Sequence, residues 1–323
     1  MVRIDAHIHV NGDHEECIAL LERLDLKLLN VCVAHTGEEW RVWREACQAL
    51  AERHPQRYAW CTTFDVPDFS PDYAERVVAE LEQDFAKGAV ACKVWKNVGM
   101  EIRKPSGEFL MVDDPLFDPI YAYLAHSGRP ALMHIGEPLR CWQPLDDDGP
   151  HDSYYRAHPE WHMYTKPEYP SHGQIIDARD RMLARHPHMR VVGAHLGSLE
   201  YDVIEIARRL EQYPNFAVDT SARTKDLAVQ DPETVRQFLT VYSDRVLFGT
   251  DVVARQPLSD LPDAEREAWL ARIEAVYRRE FAYYETEEAF EVANREVRGL
   301  GLPATVLDRL YHDNAAAWYP GLL

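Results

Sequence analysis

The chain has 323 residues, 46% hydrophobic and 28% charged, an ordinary globular composition with length enough for a sizeable core. Its formal net charge of −19 repels polyanions, which argues against nucleic acid or an anionic membrane surface as a partner. Six cysteines are scattered without Cys-x-x-Cys spacing, which suits buried reduced thiols in a reducing compartment better than a disulfide framework or a thiolate zinc site. The chain opens on a strand with no basic and apolar leader, and no apolar stretch approaches the length of a membrane span, so a soluble cytoplasmic protein is expected.

Short apolar runs rich in β-branched residues alternate with stretches of helical period. The first, Arg3-Ile-Asp-Ala-His-Ile-His-Val10, reads as a strand whose alternation turns Asp5, His7 and His9 one way and Ile4, Ala6, Ile8 and Val10 the other. A helix over 15–24 follows, then strand 26–34, helix 38–54, strand 58–63, helix 72–87, strand 89–95, helix 115–127 and strand 129–134. The rhythm resumes with helix 174–186, strand 190–195, helix 201–213, strand 215–219, helix 232–242 and strand 245–251. Eight strands this apolar, each separated by a helix, predict an α/β fold: a closed parallel (β/α)8 TIM barrel forming one domain over 1–323.

Two segments depart from the repeat. Residues 136–172, after strand five, are crowded with Trp142, Tyr154, Tyr155, Trp161, His162, Tyr164 and Tyr169 among prolines, which predicts an ordered lid or pocket wall. Residues 257–301, after strand eight, carry an amphipathic helix near 264–284.

Polar residues collect where strands end. His7 and His9 close strand one, Lys93 lies late in strand four, and His134, His195, Asp219 and Asp251 close strands five to eight. That end of a parallel barrel is the active-site face, so these groups are expected to converge on one mouth. A single buried histidine is usually a satisfied core residue, and an isolated His-x-His also suits the wet side of an exposed strand. Three strands ending in histidine and one in Gly-Thr-Asp instead point to a metal site.

Taken together, Asp5-Ala-His-Ile-His9, Met133-His-Ile-Gly136, Gly193-Ala-His-Leu-Gly197 and Phe248-Gly-Thr-Asp251 resemble the amidohydrolase superfamily, specifically its amidohydrolase-related (amidohydrolase 2) branch. That branch also holds small-acid decarboxylases, hydratases and lactonases. The late Tyr311-His-Asp-Asn-Ala-Ala316 is similar to the helix that closes such barrels. The resemblance implies His7, His9, His134 and Asp251 as ligands of one divalent ion, most simply Zn2+, with Mn2+ or another divalent ion as the alternative. It implies His195 beside the ion as an acid/base or electrophilic group, and Asp251 as a second proton acceptor. Lys93 resembles the lysine that binuclear relatives carboxylate to bridge two metals; alternatively it stays protonated and attracts a substrate carboxylate.

Arg223, following Asp219-Thr-Ser-Ala, is a candidate substrate contact, and Asp219, Glu137, Arg140 and Trp142 are further candidates. Arg140, like Lys96, equally suits a solvated surface, and Glu137 a surface turn. The implied activity is hydrolysis of an ester, lactone or amide in a small, carboxylate-bearing substrate. Non-oxidative decarboxylation or hydration is the alternative, and a non-catalytic metal-binding scaffold the third reading. Oligomeric state is left open, homo-oligomer included.

Overall fold

A computed structural model of the chain describes residues 2–146, 149–254, 256–292 and 295–323. Eight parallel strands follow one another around the sheet: β1 (Arg3–Val10), β2 (Leu26–Val31), β3 (Tyr58–Thr63), β4 (Ala89–Val94), β5 (Ala131–Met133), β6 (Val191–Gly193), β7 (Phe216–Asp219) and β8 (Val246–Leu247). They read as near-continuous apolar runs because both faces are covered, one by helices and one by the barrel interior. A ninth strand, β9 (Val253–Ala254), pairs with β1. The ring closes through the Ala6 N–H on Phe248 O at 2.9 Å and the His9 N–H on Val252 O at 2.8 Å. The chain is therefore a single α/β domain built on a TIM barrel, as predicted. All six cysteines are free and buried, and among the described residues no helix is long and apolar enough to cross a membrane.

Apolar packing divides into two shells. The outer shell joins strands to helices, with Leu20, Leu50 and Leu81 of helices and Tyr58 and Trp60 of β3 in one cluster. The inner shell takes at least one side chain from each of β1 to β8, from Ile4 and Ala6 through Leu132 and Val192 to Leu247, and is plugged by Trp318, Tyr319 and Leu322 at the chain's end. Each fully buried leucine, isoleucine or valine there contributes roughly 1.5–3 kcal/mol by leaving water.

Strict alternation fails in β1. The pairing with β2 shifts between Asp5 and Ile8, so Ile4 and Ala6 enter the inner shell while Ile8 and Val10 join the outer one. A bulge of this kind resets which face each side chain meets. Asp5 consequently does not join His7 and His9. It accepts hydrogen bonds from Tyr277 Oη at 2.8 Å and Thr250 Oγ1 at 2.5 Å, and from the His7 and Thr250 amides at 3.1 Å.

The later strands are shorter than the apolar runs suggest, three residues in β5 and β6 and two in β8. His134, His195 and Asp251 thus lie just past the strand ends. His195 and Asp251 both take φ of +58°, a left-handed conformation that costs a non-glycine residue about 1–2 kcal/mol. Local hydrogen bonds hold it: the His195 N–H reaches Asp219 Oδ1 and the Asp251 N–H reaches His7 O, each at 2.8 Å.

Among the described residues, segment 136–172 carries short turns and the helix Asp152–Ala157, and segment 257–301 the helix Asp263–Glu285. The hairpin of Ala289–Val292 with Arg295–Arg298 had no sequence signal strong enough to read, its strands being only four residues each.

Candidate active site

Each imidazole at the barrel mouth is held by one nitrogen. His9 Nδ1 donates to Val31 O at 2.7 Å, which leaves the Nε2 lone pair 3.4 Å from Asp251 Oδ1. His7 Nδ1 lies 3.0 Å from Asp219 Oδ2, and its Nε2 faces Lys93 Nζ at 3.1 Å and Asp251 Oδ1 at 3.8 Å. His195 Nδ1 donates to Ser221 O at 2.8 Å. Fixing Nδ1 in this way selects the tautomer whose Nε2 is free to bind or accept. His134 is the exception: its buried Nε2 has no hydrogen-bond partner, and its ring sits 4.2 Å from that of His195.

Burial lowers the proton affinity of His134 and His195 well below the usual histidine range, with His195 adding to the effect on His134 and Arg223 to that on His195. Both are neutral at neutral pH. The carboxylates go the other way. Burial would raise Asp219 and Asp251, but the surrounding imidazoles, with the Ser221 hydroxyl on Asp219, outweigh it and hold both well below the usual carboxylate range. The Lys93 ammonium, 1% exposed, is brought by burial down to about 8 against the opposing pull of Asp219 and Asp251.

Among the described residues, two sets of side chains, His7–His9–Asp251 and His7–His195–Asp219, each bring their donor atoms within 4.8 Å of one another. The first suits a metal better. Asp219 is fully buried, with its oxygens taken by His7, the His195 amide and Ser221, whereas Asp251 keeps 26% of its side chain exposed at the cavity. Asp219 is accordingly a support beneath two histidines rather than the substrate contact expected from its strand-end position, because its whole hydrogen-bonding capacity points into the barrel.

A cavity of about 360 Å³ opens above these groups, with His9, Lys93, His134, His195 and Asp251 along its base. Arg223 lines it too, 7% exposed; its guanidinium donates to Ala222 O at 3.0 Å, and its Nε has no partner. The acids around it, Asp226, Glu200 and Glu137, outweigh burial and keep it charged. Lys96 and Glu137 also line the cavity but are paired with each other, Lys96 lying 3.7 Å over the Trp161 ring and Glu137 accepting from Tyr155 Oη at 3.0 Å. The aromatic segment therefore forms part of the cavity wall, as Tyr154 does directly.

Two expected contacts lie elsewhere. Arg140 is bound through two nitrogens to Asp152 at 2.6 and 2.7 Å and reaches Asp146 at 2.7 Å, so its charge is spent within its own loop. Trp142 donates to Pro170 O at 3.0 Å and packs on His172. A larger hollow of about 520 Å³ beside the helix Asp263–Glu285 shares Ala222, Lys225, Asp251 and Val253 with the histidine cavity but contains none of its histidines. Sequence reading missed Ser221 and His151; only Ser221 had a signal, two residues after Asp219.

The family model described as Amidohydrolase matches residues 4–321. The chain belongs to the amidohydrolase family. Among solved structures this amidohydrolase is similar to 2,6-dihydroxybenzoate decarboxylase complexed with 2,6-dihydroxybenzoate (15% identity, 99% of each chain, TM-score 0.58). It is also similar to 4-oxalomesaconate hydratase from Rhodopseudomonas palustris (14% identity, 99% of this chain and 96% of that one, TM-score 0.55). A third is a probable 2-pyrone-4,6-dicarboxylic acid hydrolase from Acinetobacter baumannii with citric acid bound (10% identity, 99% of each chain, TM-score 0.52). At these identities the likeness is one of fold. No curated protein matches the chain. Amidohydrolases usually bind a divalent metal, and the donor set here fits one: imidazoles with oriented lone pairs, an anionic oxygen, and the orphaned Nε2 of His134.

Proposed function

We propose that this amidohydrolase is a metal-dependent hydrolase acting on an ester, lactone or amide bond of a small carboxylate-bearing substrate. The observation that carries the reading is one cavity lined at once by metal-donor groups, a neutral histidine and a buried arginine without an ion-pair partner among the described residues. His7, His9, His134 and Asp251 would hold one divalent ion, zinc being the simplest. Bound there, the ion would polarise a substrate oxygen and lower the pKa of nearby water.

The chain's own residues do the rest. Arg223 receives the substrate carboxylate, a pairing strengthened by the low dielectric around it. His195, neutral with its proton on Nδ1 and steered by Ser221 O, presents an Nε2 lone pair that takes over the proton Asp251 accepts from the attacking water and passes it to the leaving oxygen or nitrogen. Asp251 accepts a proton from the attacking water. Asp219 fixes the imidazole of His7 and the backbone of His195. Lys93 adds positive charge at the base.

A second reading, decarboxylation or hydration of a small organic acid, uses the same residues and draws on the activities named for two of the three structural neighbours. Product analysis on metal-loaded protein given a panel of lactones, esters, amides and aromatic or sugar-derived acids separates the two. A new acid with its alcohol or amine is expected; release of carbon dioxide would transfer the protein to the lyases.

A further inference from the structure

His151 enters the cavity from the aromatic segment, beside Tyr154. It is 5% exposed, and its Nε2 lies 2.8 Å from Asp226 Oδ1 on the short helix Thr224–Ala228 that follows β7. With a carboxylate as partner, Nε2 carries the proton and donates, so Nδ1 holds the lone pair; among the described residues Nδ1 makes no hydrogen bond. A histidine oriented by a carboxylate, with its second nitrogen uncommitted at a substrate cavity, has the arrangement of a general base and its orienting group.

The charges around it set its response. Burial lowers its proton affinity, Asp226 opposes this, and Arg223 and Lys225 reinforce it. In the free protein the ring is therefore neutral. An anion docking on Arg223 adds negative charge beside it and raises that affinity.

We propose that His151 is a second acid–base residue of this site, taking up a proton at Nδ1 when a carboxylate docks on Arg223, with Asp226 as its positioning residue. The step is balanced: an N–H bond forms at Nδ1 as hydronium or the buffer acid gives up its proton, the ligand binding as the carboxylate, and the imidazolium is held by Asp226. The inference rests on the reading of Arg223 as the carboxylate contact.

Titration calorimetry of the metal-loaded protein with benzoate and with glycolate at pH 6, in two buffers of different ionisation enthalpy, counts protons taken up on binding without needing turnover. Wild type is expected to bind with net proton uptake. His151→Gln should bind with that uptake lost, and Asp226→Asn with it reduced, both melting as cooperatively as wild type. Equal uptake in wild type and His151→Gln would overturn the proposal and leave the Arg223 reading standing. Binding unchanged in Arg223→Gln, or no binding of either acid to wild type, would overturn that reading and the proposal with it. Should His151→Gln fail to fold, the Asp226→Asn comparison decides alone: uptake equal to wild type contradicts the proposal.

Discussion

The two ends of the barrel interior are made by the same strands and have opposite chemistry. At the closed end, side chains such as Ile4, Leu132 and Leu247 pack with Trp318, Tyr319 and Leu322 in a plug that is apolar apart from the buried Tyr319 hydroxyl, which has no hydrogen-bond partner among the described residues, and the Trp318 indole, which donates to Asp244 O at 3.2 Å. At the open end, His7, Lys93 and Asp219 are as deeply buried and survive only because each faces a partner of complementary character. Burial by itself thus says nothing about role. One end converts burial into stability, and the other converts it into oriented lone pairs and displaced proton affinities.

The sharpest break in that comparison is at His7. His7→Ala is expected to lose both bound metal and turnover, because it deletes a ligand and uncovers Asp219. His195→Asn should keep most of the metal while turnover falls by about 10²–10⁴-fold, the usual worth of a positioned proton-transfer group. Metal content and turnover measured side by side decide it; equal loss of metal in both variants would make His195 a ligand. At the closed end, Trp318→Ala should destabilise by roughly 3–5 kcal/mol in chemical denaturation and leave metal content per folded chain unchanged. Altered metal stoichiometry in that variant would mean the two ends are not separable.

Smaller effects sharpen the picture at the rim. Arg223→Gln is expected to raise KM for carboxylate-bearing substrates by about 10-fold or more, from loss of a charge-assisted contact worth roughly 1.5–3 kcal/mol, with kcat affected less. A fall confined to kcat would place Arg223 in the chemistry instead. Glu200, behind Arg223, accepts the Leu139 N–H at 2.9 Å and is pushed by burial from its usual 4.5 up to about 7. The folded chain then keeps a proton that the unfolded chain releases, so stability falls as pH rises from about 4.5 to 7 and levels off above, by about 3 kcal/mol in total. Glu200→Gln should remove that slope: its stability relative to wild type grows between pH 5 and pH 8, and a constant difference would contradict the assignment.

What the sequence made legible follows from locality. Apolar strand runs and the residues that end them are contiguous in the chain, so the barrel, the four histidines and Asp251 could be read directly. Features decided by distant partners could not. The bulge that turns Asp5 toward Tyr277 depends on how β1 pairs with β2. Arg140 was lost to Asp152 and Trp142 to Pro170 by the path of the aromatic segment, which no period announces. His151 and Asp226 meet across 75 positions, and neither carries a local motif.

The account stands most directly on the metal content of the purified protein set against its activity. About one tightly held divalent ion per chain is predicted, with turnover abolished on its removal and restored on its return. Near-two stoichiometry with a carboxylated Lys93 would contradict the single-ion assignment, and full activity in rigorously metal-free protein would contradict the mechanism itself.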